Sequence, residues 1–391
     1  MDQIYLDHNA TTPVDPEVVD AMLPYLSHTF GNASSLHYFG REAKAALERA
    51  REEVAAFISC DPGELYFTSG GTESDNMAVL GAAFQRRDRR RHAVYGATEH
   101  HAVMEACEYL VHRHGFTADA APVDSEGFVS PRRLARLVTD QTAVVSIMHA
   151  NNETGTIQDL KPLVQAAHEK GAWFHTDAVQ SCGKIEINVR DLGLELLSLT
   201  GHKIYGPKGT GALFIRDGIK LTPLMYGGSH EKKRRPGTEN VAGAVGLAKA
   251  LEIARRRMEE DWIRLSDLAD FFIDRVLTTI PHTYLNGTRM GRIPQVCNIS
   301  FTGVEGESIL LALDLEGVAC SSGSACTSGA TEPSHVLVAM GKDRVVAQGA
   351  IRFSLGRSTN REQLDYVLAK LPPIIERLRS LSPLYQERMK S

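Results

Sequence analysis

The sequence predicts an α/β protein with a mostly parallel central sheet joined to a smaller α+β unit, and three observations predict it. Short β-branched runs alternate with amphipathic helical stretches from about residue 60 to about 250. The alternation stops after Trp262. The chain has 391 residues, 43% of them apolar, enough to bury a large core and more than one unit.

In order, the strand runs are Leu65–Thr68, Ala93–Ala97, Ala143–Met148, Ala172–Thr176, Leu196–Leu199 and Ala212–Ile215. The helices between them cover the sheet; across 41–58, Leu47, Ala50, Val54 and Phe57 recur at three- and four-residue steps. Beyond Trp262 a helical stretch to Leu277 precedes a strand at 296–301, a helix at 307–313 and a strand near 351–355. The closing helical stretch, 361–381, contains Pro372-Pro373, which should break or kink it. The expected division is a large domain over 13–260, with a small domain made of 1–12 and 261–391.

Lysine and arginine total 43 against 48 aspartate and glutamate, a net charge of -5 spread along the chain. That leaves no basic footprint for nucleic acid. No run of 18 apolar residues offers a membrane span, and the start lacks the pattern of a secretory signal. Six cysteines without a CxxC pair fit the reducing cytoplasm, where a cysteine that matters is reactive rather than bridged.

Polar clusters stand at successive strand ends. Thr68-Ser-Gly-Gly-Thr-Glu-Ser-Asp75 joins a strand to a helix; Thr72 is suited to cap that helix, with Asp75 three residues on as in a capping box. The turn's N–H groups would hold an anion, although an ordinary strand-to-helix turn explains the segment as well. Glu99-His-His101, His149–Gly155, Asp177–Gln180 and Thr200–Lys203 occupy the same station after their strands. Ligands of open α/β sheets bind beyond those carboxyl ends.

One ligand wants all of these. Lys203 can form an imine with a carbonyl cofactor, Asp177 can pair a pyridinium nitrogen, Gly70-Gly71-Thr72 can hold phosphate and His100 can lie against an aromatic ring. That set fits pyridoxal 5'-phosphate. Each residue has a plainer use: a helix cap for Asp177, a hydrogen-bonded core histidine for His100, a surface ammonium for Lys203. Their joint occurrence at successive strand ends favours the cofactor. The histidine pairs lack the i,i+4 spacing of a helical zinc site.

Ser321–Gly329 is nearly pure serine, glycine, alanine and threonine with one thiol, Cys326, at its centre. Such a segment cannot pack, so Cys326 reads as a mobile nucleophile on a loop over about 320–332, whereas Cys320 reads as a packed strand end. Arg352 lies between apolar residues on a strand and needs an anion: a substrate carboxylate or an internal acid.

As a set these segments resemble the pyridoxal-phosphate cysteine desulfurases of the NifS/IscS type, in the class V aminotransferase-like, fold-type I group. The resemblance runs from end to end, through Tyr5–Thr12, Phe30–Ser35, Thr68–Asn76, His149–Gly155, His175–Gln180, Gly201–Gly209, Arg235–Asn240 and the Cys326 loop with Glu332-Pro-Ser-His335. It implies a fold-type I transferase that converts L-cysteine to L-alanine and passes sulfur, as a persulfide on Cys326, to acceptors for iron–sulfur cluster assembly. Lys203 would carry the cofactor as an aldimine, Asp177 would pair its ring nitrogen and Gln180 would bond its phenolic oxygen. His100 would stack on the ring and move protons. Gly71, Thr72, Thr200 and His202 would bind phosphate, with Thr238 reaching in from the partner subunit of a homodimer. Asn152 would help hold cofactor and substrate, and Arg352 would clamp the substrate carboxylate. Cys326 would also serve as an iron–sulfur ligand shared with a scaffold partner. The sequence departs from the family at Thr200, often serine or cysteine, and at His8, commonly asparagine.

Two other readings compete. Another fold-type I enzyme, an aminotransferase or selenocysteine lyase, would use Lys203 and Asp177 without needing Cys326. A non-catalytic sulfur carrier or iron-cluster binding protein would use only the cysteine loop and would be colourless.

Overall fold

A computed structural model describes residues 3–322, 333–382 and 385. Its strands are β1 (Ile4–Tyr5), β2 (Leu65–Thr68), β3 (His92–Gly96), β4 (Thr117–Ala121), β5 (Thr142–Ser146), β6 (Trp173–Asp177), β7 (Leu196–Thr200), β8 (Gly211–Ile215), β9 (Thr283–Leu285), β10 (Val296–Phe301), β11 (Val318–Ala319), β12 (Ser321–Ser322) and β13 (Ala350–Ser354). Seven of them form one sheet in the order β2-β8-β7-β6-β5-β3-β4. All its pairings are parallel except those of β8, which runs against both β2 and β7. The carboxyl ends of β2, β3, β5, β6 and β7 therefore share one edge.

Period-two alternation sends neighbouring residues to opposite faces. Val94, Val145, Leu197 and Phe214 enter a core packed against the helices Tyr38–Phe57, Leu160–His168 and the first half of Val241–Thr279. Ala93, Val144, Leu196 and Leu213 enter the opposite core, under the helices Gly71–Arg86 and His101–His114. Such two-sided burial accounts for the near-continuous apolar strands of the sequence.

A third core joins Ile4 and Leu6 to Leu265, Phe272, Ile299, Phe301, Ile351, Phe353 and Leu364. It lies with the sheet β12-β13-β10-β9 and the parallel pair β1-β11. The Val241–Thr279 helix is one element of 39 residues that serves both cores, so the expected boundary at 260/261 falls inside a continuous helix.

Three local expectations are corrected. The Gly71–Arg86 helix is preceded by Gly70 with no side-chain cap; Thr72 is its second residue, and Asp75 is buried rather than capping. The Arg361–Ser380 helix runs through Pro372 and Pro373 without a break; Leu364, Val367, Leu371, Ile374 and Ile375 hold it to the core on both sides of the prolines. Strand β4 was not expected, because Thr117–Ala121 is mostly exposed edge backbone with no apolar run.

Candidate active site at the strand ends

The first turn of the Gly71–Arg86 helix follows β2 with its leading N–H groups uncapped by any side chain. Gly70 takes φ +155, and a Cβ on it would lie 3.8 Å from the Thr200 hydroxyl at the end of β7. A Cβ on Gly71 would come within 2.6 Å of Val179, so glycine is what lets this helix end approach the segment after β6. Thr72 is exposed there, and the buried Thr200 Oγ1 donates to the Thr210 carbonyl at 3.1 Å. The result is a helix end with open N–H groups and hydroxyls beside it, a geometry suited to an anion.

Asp177 closes β6, buried, with one carboxylate oxygen accepting from Val179 N–H at 2.8 Å. Burial raises it, while that N–H and the Lys203 charge favour its anion. Asp75 lies beneath, its carboxyl pushed well up by burial and then by Asp177. Two buried acids cannot both ionise cheaply, so Asp75 keeps the proton and Asp177 is the anion. His175, two residues before Asp177 on the same strand face, bonds Ser146 at 2.8 Å and Ser198 at 2.9 Å and lies 3.6 Å from Asp75. Burial pushes it down to about 3, so it is a neutral floor under the acids.

Lys203 Nζ donates to the carbonyls of Asn9 and Ala10, both at 2.6 Å. Gln180 Nε2 donates to the same Asn9 carbonyl at 3.0 Å, and its Oε1 accepts from Lys184 Nζ at 3.1 Å. The segment after β1 thus lies across the strand ends. His202 Nδ1 is 3.2 Å from the Thr11 hydroxyl; burial, then the Lys203 charge, pushes it down to about 4.

His100 is the N-cap of the His101–His114 helix, its Nδ1 accepting from Ala102 N–H at 3.1 Å. That bond places the neutral ring's proton on Nε2. Burial and the Lys203 charge push His100 down to about 4, so it is uncharged and able to donate.

Arg352, on β13 and buried, pairs through Nη2 with Asp7 at 2.8 Å and through Nη1 with the Asn152 carbonyl at 3.2 Å. Its Nε is buried without a hydrogen-bond partner. The internal acid is therefore present, and the fork is not exhausted by it. Asn152 meets its neighbours here through its backbone carbonyl, which also accepts from Asn9 Nδ2 at 3.0 Å. Thr238 is exposed, on a segment tied to the first turn of the Gly71–Arg86 helix by Arg235 and Glu73 at 2.8 Å.

Cys326 lies outside the described residues, but both flanks of its segment are fastened at this site. On one side Ser321 pairs directly with Arg352 across β12 and β13. On the other, Ser334 bonds Glu153 at 2.5 Å, and His335 Nε2 bonds the carbonyl of Glu99, next to His100, at 2.9 Å. Burial pushes the thiols of Cys60, Cys107, Cys182 and Cys297 up to about 12 and raises Cys320 as well, so none of these five is a ready thiolate.

Lys203, Asp177, Gln180, His100, Gly71, Thr72, Thr200, His202, Asn152 and Arg352 thus gather at one edge. The residues fit pyridoxal 5'-phosphate: an uncapped helix end for the phosphate, a buried anion for the ring nitrogen, an amide for the phenolic oxygen and an amine for the aldehyde. Asp7 and the carbonyls of Asn9 and Ala10 carried no signal of their own in the sequence, Asp75 was expected in a capping box rather than buried under Asp177, and His175 could have been found from its period-two spacing from Asp177. Among the described residues no group of three or more His, Cys, Asp or Glu could hold a metal, and no helix is long and apolar enough to cross a membrane.

The model of the family "Aminotransferase class-V" matches residues 4–367. "Cysteine desulfurase IscS" of Dictyoglomus turgidum is 51% identical over 385 residues, 98% of this chain and 98% of that one. "Cysteine desulfurase NifS" of Azotobacter vinelandii is 44% identical over 386 residues, 98% of this chain and 96% of that one. A solved structure titled "NIFS-LIKE PROTEIN" superposes with a TM-score of 0.90 at 36% identity, covering 96% of this chain and all of that one.

Proposed function

Because the chain belongs to the class-V aminotransferase family, within its cysteine desulfurases, we propose that its strand-end site takes sulfur from L-cysteine and hands it to Cys326. The enzyme depends on pyridoxal 5'-phosphate and leaves L-alanine. Sulfur balance is simple: the Cβ–S bond of the substrate breaks, a bond forms between that sulfur and the Cys326 thiol, and one proton comes to rest on Cβ of the alanine. No external oxidant or reductant is required.

The observation that carries the reading is the fastening of both flanks of the Cys326 segment beside Lys203, Asp177 and His100, at Arg352 and at the Glu99 carbonyl. Bound pyridoxal 5'-phosphate supplies an electron sink for the substrate's α-carbon. The uncapped turn at Gly71 and Thr72, with Thr200 and His202, holds the phosphate. Asp177 keeps the ring nitrogen protonated, and Gln180 donates to the phenolic oxygen. Lys203 would hold the cofactor's aldehyde, and its amine would be the group that takes the proton from the substrate's α-carbon. His100, neutral with its proton on Nε2, would lie against the cofactor ring and give a hydrogen bond from Nε2–H, orienting the groups between which protons move. Arg352 and Asn152 hold the substrate carboxylate, with Asp7 fixing the fork.

The same reading includes a homodimer in which Thr238 serves the partner subunit's phosphate. Supporting it, a groove of about 820 Å³ lined by Leu36, Arg41, Tyr66 and His230 lies beside the Thr238 segment, and Leu36 and Tyr226 are 90% and 85% exposed. The setting is cytoplasmic, and the acceptors are sulfur-accepting proteins of iron–sulfur assembly, with Cys326 an iron–sulfur ligand shared with such a scaffold. The large domain is 13–260, the rest forming the small domain.

The test is incubation of the holoenzyme with L-cysteine, scoring alanine and intact-protein mass. One alanine per sulfur atom added at Cys326 is expected. Alanine without sulfur on Cys326, or transfer of the amino group to an oxo acid, overturns the reading.

A further inference from the structure

We infer that Lys184 is a positioning residue for the reaction: by bonding Gln180 Oε1 it fixes the orientation of the Gln180 amide, so that one N–H of that amide is left for the cofactor's phenolic oxygen. The inference rests on the proposed place of Gln180 at that oxygen.

An amide side chain has two near-equivalent orientations, and its neighbours decide between them. Lys184 decides here. As an ammonium it has three donors and no lone pair, so it can bond only the carbonyl end of Gln180, at 3.1 Å. The other end, Nε2, then faces the Asn9 carbonyl at 3.0 Å. That uses one of its two N–H bonds and leaves the second to donate. The opposite orientation would set two donors of Lys184 and Gln180 against each other, and an amide oxygen against the Asn9 carbonyl.

The local backbone builds this contact. After β6 the chain coils tightly, with Cys182 N–H bonded to the Ala178 carbonyl at 2.8 Å and Lys184 N–H to Ser181 at 3.0 Å. This turn brings the side chains of residues 180 and 184 together. Gly183 completes the turn at φ +78, where a Cβ would stand 2.8 Å from Ile204. Lys184 also lines a cavity of about 50 Å³ together with Lys203, Asn9 and His8, so its ammonium and the Lys203 amine sit on the same Asn9 neighbourhood. A partly buried lysine beside a second amine is a costly choice for a merely structural contact, since burial and the Lys203 charge push it down to about 7.

The test measures the apparent Kd for pyridoxal 5'-phosphate and the absorption spectrum of the reconstituted enzyme, on the acid side of neutrality where Lys184 is charged. Gln180→Ala and Lys184→Met are each expected to weaken cofactor binding by roughly tenfold and to move the absorption band in the same direction. Lys184→Arg, also all donors, keeps both within about threefold of wild type. The double variant Gln180→Ala/Lys184→Met is expected to match Gln180→Ala alone, because Lys184 acts through the amide. Thermal melting of the apo forms identifies any variant that merely unfolds, and Lys184→Leu then replaces Lys184→Met. Wild-type binding and spectrum in Lys184→Met, or a further tenfold loss when it is added to Gln180→Ala, overturns the inference. If Gln180→Ala itself leaves binding and spectrum unchanged, it is the placing of Gln180 at the phenolic oxygen that fails.

Discussion

Lys203 and Gln180 converge on a single acceptor, the Asn9 carbonyl, at 2.6 and 3.0 Å. One backbone oxygen from the start of the chain thereby sets the amine and the amide side by side above the strand ends. Lys203→Ala is expected to abolish the yellow absorption of the holoenzyme and alanine formation together, while the apoenzyme melts within a few degrees of wild type. Colour retained after thorough removal of free cofactor would contradict the assignment.

Cys326→Ala separates the two halves of the chemistry. The variant is expected to keep its colour and bind L-cysteine, yet lose sulfur transfer to a thiol acceptor by at least about a thousandfold, the scale for removing a nucleophile. The five described cysteines, with thiols raised by burial, offer no substitute. Sulfur transfer at the wild-type rate would remove Cys326 from the mechanism.

In the proposed reaction His100 has a second job beside its helix cap, and the two can be parted. Its Nδ1 caps a helix, and asparagine is an equally good cap. His100→Asn is expected to cost under about 0.5 kcal/mol of stability while lowering kcat by about a hundredfold or more, because the Nε2 proton is gone. With the ring held neutral down to about 4, its titration should add no limb to the kcat profile near the usual histidine range. Stability and kcat falling together would show a structural role only.

Arg352→Lys tests the fork. A point ammonium cannot pair Asp7, bond the Asn152 carbonyl and receive a carboxylate in one plane, so KM for L-cysteine should rise by about tenfold or more with a smaller change in kcat. Unchanged KM would leave Arg352 as the partner of Asp7 alone.

Glu153, which accepts from Ser334, is pushed up to about 7 by burial, against the pull of Ser334 and Arg352. A carboxyl raised in the folded state contributes stability below its unfolded pKa, and that contribution is lost as pH rises through the folded value. Glu153→Gln should therefore match wild type near pH 5 and exceed it above pH 7, by at most about 3 kcal/mol. Melting curves at the two pH values decide it; equal stability above pH 7 would mean the acid is not strained.

The sequence made the strands of the main sheet legible because two-sided burial leaves unbroken apolar runs such as Leu196–Thr200 and Gly211–Ile215. Strand β4 escaped because an exposed edge writes no such run. Lys203, Asp177 and His100 could be picked out because each closes or follows its strand at the same edge. Asp7 could not be matched with Arg352, since 345 residues separate the pair and only the antiparallel and parallel pairings around β13 bring them together. Thr72 was misread as a cap because its composition signals an N-terminus, whereas Gly70 takes that place and leaves the turn's N–H groups open. Here the local rule fails because a glycine, and no capping side chain, opens the helix.

The 39-residue helix Val241–Thr279 is about 58 Å long at 1.5 Å per residue, and one end is embedded in each hydrophobic interior. It works as a shared spine. Cutting the chain at residue 260 would expose apolar faces on both fragments at once, so neither half should fold alone and heating should melt them as one cooperative block. For engineering, this means that grafting a cysteine-bearing portion from a relative requires carrying over the spine's distal turns as well.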